Sequence, residues 1–215
     1  MPYQNRVTPF GQIIAVPQRG TMMGNRGILH NTSGQLKRGW TTKAWIICSL
    51  TLRPGRQPLQ MMAPGHYTPL FFLDEAIALA AGHRPCAECR RPAYTHFKSL
   101  WLQANADLIQ QANPPIAAID AILHRERLTE RREKRVYQAP LAALPNGTFI
   151  SLDAAAFLVW EKSLLRWSPA GYVEIQCKPG GTVVNVLTPP SVVKTLATGY
   201  VPEIHPSVNQ WRVDE

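Results

Sequence analysis

Apolar positions change period twice along the chain. In the first third, GQIIAVP (11–17), the stretch around GILH (27–30), AWIICSLTL (44–52) and PLQMMAP (58–64) are short apolar or β-branched runs. The turn signals NTSG and RPGR separate them, so this third reads as β structure. Within the third run, alternation puts Ala44, Ile46, Cys48, Leu50 and Leu52 on one face, which is expected to be the core side. A helical middle follows. Asp74 can cap DEAIALAAG, Gly82 stands where a left-handed C-terminal cap belongs, and Pro85 prevents resumption. Pro92 can open a second helix with Ala93, Phe97, Leu100, Trp101 and Ala104 on one face. A third helix is expected from Asn113-Pro114 through IAAIDAILHRERLTERREK.

From Val136 the period returns to two. Asn146-Gly147 reads as a hairpin turn into TFISL, followed by AFLVW, LLRWS, YVEIQ and TVVNVL, with SVVKTLATG as a closing helix. The connections are too short for alternating βαβ units. The expected class is therefore α+β: a β-rich N-terminal part, a helical middle and a hairpin-rich C-terminal part. The boundary is placed between residues 1–135 and 136–215, as one compact domain or two small ones.

With 215 residues, 45% of them hydrophobic, the chain can bury a sizeable core. The start, MPYQNRVTPF, lacks a signal-peptide core, and AWIICSL is far shorter than the ~20 residues of a membrane helix. A soluble cytoplasmic protein is expected. Of four cysteines only Cys86 and Cys89 are close in sequence, which suits a metal or redox role better than a disulfide framework.

The net charge of +9 is unevenly placed. No carboxylate precedes Asp74, whereas residues 1–73 carry Arg6, Arg19, Arg26, Lys37, Arg38, Lys43, Arg53 and Arg56. A surface facing phosphates gains from excluding acids, so nucleic acid, DNA or RNA, is the expected partner. The candidate contacts are Arg19, Arg26, Lys37, Arg38, Lys43, Arg53, Arg56, Arg90 and Arg91, with Trp40 as a base-stacking ring. The run 125–135 is basic but holds three glutamates, and a helical Glu130–Lys134 pair would make it a solvated face.

Two thiolates at C-x-x-C spacing make half of a zinc site, because a tight turn aims both sulfurs inward. A redox pair would instead want a helix beginning at its first cysteine. The stretch EAIALAAGHRPCAECRR resembles the second half of the zinc-binding domain of Ada-type DNA methyl-phosphotriester repair proteins, over about residues 70–91. The resemblance implies that Cys86 and Cys89 are zinc ligands, in a site more structural than catalytic. It does not carry over methyl acceptance, since the family's other close cysteine pair is missing upstream. His30 and Cys48 are the first candidates for the remaining ligands, ahead of His66, Cys177 and His205.

The chain also contains Pro85-Cys86-Ala87-Glu88-Cys89 and His124-Arg125-Glu126, the two pieces of a zinc nucleobase deaminase, but in reversed order. Inside one helix, positions i and i+2 diverge by about 200°, which turns Glu126 toward Ile119, Ile122 and Leu123 and His124 away. Three roles stay open: a zinc-stabilised nucleic-acid-binding protein, a metal-dependent enzyme acting on nucleic acid with His30, His124 or His205 moving protons, and a protein-interaction module with structural zinc.

Overall fold

The computed structural model describes residues 1–51 and 60–211. Arg53, Arg56, Leu52 and the first two residues of PLQMMAP lie outside them. Helices and sheets both contribute, as an α+β fold requires.

The N-terminal part forms a mixed six-stranded sheet from β1 (Gln4–Val7), β2 (Ile13–Ala15), β3 (Met22–Asn25), β4 (Ile46–Ser49), β5 (Leu70–Phe72) and β6 (Arg84–Pro85). The spatial order is β2-β1-β5-β3-β4-β6, with β1–β5 and β4–β6 parallel. GILH contributes only an isolated bridge between His30 and Leu36, and residues 61–62 and 64–65 turn rather than extend. The expected strands there are thus replaced by β1 and β5.

The alternation in β4 is real, but its faces are the reverse of the expected ones. Trp45 and Ile47 are buried, and Ile47 joins the main core, whereas Leu50 is 46% exposed. Cys48 is buried on the opposite face and stands outside that core. Period two identifies two sides of a strand without saying which one the core takes.

Helix α1 (Glu75–Ala80) starts as expected: the Asp74 carboxylate accepts the Ile77 N–H at 3.0 Å. It ends at Gly82, where φ is +88° and an added Cβ would lie 2.5 Å from the Arg127 side chain. Both features demand glycine. Helix α2 (Arg91–Ala104) buries Phe97 and Trp101. Helix α3 (Ile116–Arg127) stops well short of the expected end, and a Leu128–Lys134 bridge closes the following loop. Glu130 and Lys134 are therefore not helical neighbours, although Arg125, Glu130, Arg131, Arg132, Glu133 and Arg135 are exposed, as expected of a solvated run. Arg127 turns inward instead and is 1% exposed.

The C-terminal part is an antiparallel sheet of β7 (Tyr137–Pro140), β8 (Phe149–Leu152), β9 (Ala155–Trp160), β10 (Ser163–Ser168), β11 (Gly171–Cys177) and β12 (Val183–Val186), in the order β11-β10-β9-β8-β12-β7. Gly147 does turn, at φ +88°, but β7 pairs with β12 and not with β8. Helix α4 (Pro190–Ala197) follows. One core of buried residues runs from Val7 to Val208 and takes side chains from both sheets and from α1, α2, α3 and α4. The two sequence halves share it. Polar pins reinforce the join at the start of α1, where Tyr172 donates to Asp74 at 2.6 Å and Tyr200 to Glu75 at 2.7 Å.

Candidate metal centre

Parallel pairing of β4 with β6 builds the site. The register sets Ile46 beside Arg84 and Ile47 beside Pro85, and the Cys86 N–H continues the ladder onto the Ile47 carbonyl at 2.9 Å. Cys86 is thereby brought alongside Cys48. The chain then closes a turn, with the Arg90 N–H on the Cys86 carbonyl and the Glu88 N–H 3.4 Å from the Cys86 sulfur, which returns Cys89 to the same place. The three Sγ atoms lie within 4.8 Å of one another. Thiolates arranged tetrahedrally about zinc at about 2.3 Å would stand about 3.8 Å apart, so this gathering fits a metal ion.

All three cysteines are free thiols. The Cys86 thiol is pulled down to about 5, chiefly by the hydrogen bond from Cys48 and then by backbone N–H groups of Cys89 and Glu88, against desolvation. Cys48 is pushed up because it holds the shared proton in a buried place. Helix α2 begins beyond both cysteines of the knuckle, so neither occupies a helical first turn as a redox pair requires.

His30 does not join the thiols. Its ring is buried, with Nδ1 2.6 Å from Thr68 Oγ1 and Nε2 3.2 Å from the Ala63 carbonyl, and it pins two loops. His66 is exposed beside the Pro64 carbonyl, Cys177 is exposed on β11, and His205 meets Ser207. Among the described residues no fourth Cys, His, Asp or Glu enters the group. Of the residues outside them, 52–59 (LRPGRQPL) include no such side chain, whereas 212–215 include Asp214 and Glu215.

The cations divide into two sets. Arg19, Lys37, Arg38, Lys43 and Arg91 are exposed, and Trp40 is half-buried with its ring 4.4 Å from that of His124. Arg26 and Arg90 are buried, which removes them from an open phosphate surface. Arg90 is held by Glu75 at 2.7 Å and Glu203 at 2.5 Å.

His124 and Glu126 diverge as helical geometry demands. Glu126 accepts from the Ser191 hydroxyl at 2.5 Å, and burial raises its carboxyl. His124 accepts from Arg127 at 2.7 Å; burial, Arg127 and Lys43 hold its imidazole down to about 4. Neither belongs to the thiol group, so the deaminase arrangement is absent among the described residues.

Arg127, Lys134 and His83, which gather around Arg26, are not singled out by the sequence pattern. One signal was available for Arg127: it continues the Ile119–Leu123 stripe at a spacing of four, on the buried face of α3. Comparison with protein-family models, with curated proteins and with solved structures gives no match.

Proposed function

We propose that this is a zinc-binding, nucleic-acid-binding protein in which Cys48, Cys86 and Cys89 hold the ion. The observation that carries the reading is the convergence of three thiols from a strand and a knuckle that are far apart in sequence. Bound there, zinc ties β4 to the turn between β6 and α2, and a structural zinc site commonly contributes on the order of 10 kcal/mol to folding. The Ada-type resemblance over residues 70–91 supports the same ligands at Cys86 and Cys89. Exposed Arg19, Lys37, Arg38, Lys43 and Arg91 supply the phosphate-facing charge, with Trp40, between Arg38 and Lys43 in sequence, for stacking.

Two measurements test this. Metal analysis of protein purified without added metal should find about one zinc per chain, with loss of zinc in Cys86→Ser. Binding to a DNA duplex and to a single-stranded RNA should weaken with salt; five phosphate contacts give a log–log slope of roughly −4 to −5 on duplex DNA. Absence of metal overturns the first half, and a near-zero slope on both nucleic acids overturns the second.

A second reading, a metal-dependent enzyme acting on nucleic acid, draws on the same geometry. Three protein ligands leave a coordination position free, as catalytic zinc requires. Half-buried Cys89 also lines an open cleft of about 450 Å³ with Ser49, Thr51 and Glu203. Zinc-dependent turnover of labelled DNA or RNA, lost in Cys48→Ser, would move the assignment to this reading.

A further inference from the structure

The other face of β4 carries a gathering of opposite sign. Arg26 is 3% exposed and Arg127 1% exposed, and their guanidinium carbons lie 4.0 and 3.8 Å from the Trp45 ring centroid. Lys134 reaches the Ala80 carbonyl beside them. Arg26 donates to the Gly11 carbonyl at 3.0 Å and to His83 Nε2 at 3.2 Å. Arg127 donates to the Gly82 and Lys43 carbonyls, each at 2.8 Å. These partners are neutral. Among the described residues none of the three cations has a carboxylate within ion-pair distance. Asp120, the acid whose charge Arg127 feels, is already bound by both arms of Arg84 at 2.7 Å.

Buried charge without a counter-charge is costly, and proteins normally pair it. Here two donors are also left over: Arg26 Nη2 and Arg127 Nε are buried with no hydrogen-bond partner. Both side chains, with Lys134, line a cleft of about 430 Å³ whose other walls include Phe10, Trp40 and Trp45. Exposed Glu133 is its one acid. Burial registers on every group and repulsion on two of them: burial lowers Arg26 to about 9, burial and then Arg26 bring Arg127 to about 9, and burial and then Arg26 and Arg127 hold Lys134 down to about 7. His83, buried against the same cations, is kept neutral.

We propose that this cleft binds a phosphate group carried by a nucleotide, with the phosphate on Arg26, Arg127 and Lys134 and the base against Trp40. An oxyanion supplies the acceptor that both orphaned N–H donors lack and the charge that three cations lack. The cleft falls in the volume range of small-molecule sites, roughly 300–1,000 Å³, and is larger than one phosphate fills. The inference needs no metal. It rests on the nucleic-acid reading only for the carrier of the phosphate, which is a free nucleotide or the phosphorylated end of a strand.

The test uses the full chain as purified and follows its melting temperature and calorimetric binding with inorganic phosphate, a nucleoside, its 5′-monophosphate, and an oligonucleotide with and without a 5′-phosphate. The monophosphate is expected to bind at least about tenfold more tightly than phosphate, and the nucleoside not at all, since charge-assisted hydrogen bonds carry the contact. Preference for the phosphorylated oligonucleotide over the monophosphate identifies a strand end as the carrier; the reverse identifies a free nucleotide. Lys134→Met should weaken the monophosphate by about tenfold or more while raising the melting temperature of the empty protein, which a merely structural lysine would not do. Trp40→Ala should erase the preference of monophosphate over phosphate. No binding of monophosphate at millimolar concentration, or unchanged affinity in Lys134→Met, overturns the proposal. Monophosphate binding that survives Lys37→Gln/Arg38→Gln/Lys43→Gln, in a protein whose binding to unphosphorylated duplex DNA is weakened, separates this cleft from the surface assignment.

Discussion

The two faces of β4 gather like with like. Cys48 looks toward two more thiols, and Trp45, three residues earlier, looks toward two arginines, with Lys134 lining the same cleft. Neither set finds its complement among the described residues, whereas two other buried arginines are matched: Arg84 with Asp120, and Arg90 with Glu75 and Glu203. Matched pairs are ties that hold the fold. Unmatched sets of one chemical kind are costly to assemble and mark places where something from outside completes the structure. On the proposed reading a cation completes the thiol face and an anion the arginine face.

Removing a thiol breaks the comparison hardest. Cys48→Ser should abolish zinc binding and the cooperative melt, since the lost site contributes on the order of 10 kcal/mol; calorimetry with metal analysis checks it. Next come the matched ties. Asp120→Ala leaves Arg84 buried and unpaired, and denaturant unfolding should show a loss of about 3–5 kcal/mol.

The unmatched face behaves in the opposite sense, because Lys134→Met relieves repulsion and should raise the stability of the empty protein. The pH dependence follows the same sign. The folded protein holds Lys134 down to about 7, below the ordinary lysine value of 10.5, so from pH 7 to 9 the unfolded chain binds more protons and stability rises with pH. One proton gives at most about 1.4 kcal/mol per pH unit, less here because Lys134 keeps part of its surface in water. The slope should shrink in Lys134→Met, by the share that this one proton contributes. The smallest effect belongs to the open surface: neutralising Lys37, Arg38 and Lys43 should change stability by no more than about 0.5 kcal/mol. It should nevertheless flatten the salt dependence of duplex DNA binding by roughly 3 in slope.

Local chemistry was the legible part of the chain. The Asp74 cap, the Gly82 stop, the start of α2 and the strands from TFISL to TVVNVL all follow from side-chain period and turn residues within a short window. Pairing was not legible in the same way: β7 meets β12, and β1 meets β5, across distances that no local pattern encodes. The site divides along the same line. Cys86 and Cys89 announce themselves by spacing, but the sequence offers Cys48 only alongside His30, because choosing between them requires knowing that β4 runs parallel to β6. Arg26 and Arg127 read as surface charge, since long basic side chains are seldom buried without partners.

The most direct test of the thiol face is X-ray absorption at the zinc edge on the intact protein. The expected spectrum shows three sulfur neighbours at about 2.3 Å and one lighter neighbour, falling to two sulfurs or to no bound zinc in Cys48→Ser. A spectrum with two sulfurs or fewer in the native protein, or one that Cys48→Ser leaves unchanged, would contradict a three-thiolate centre.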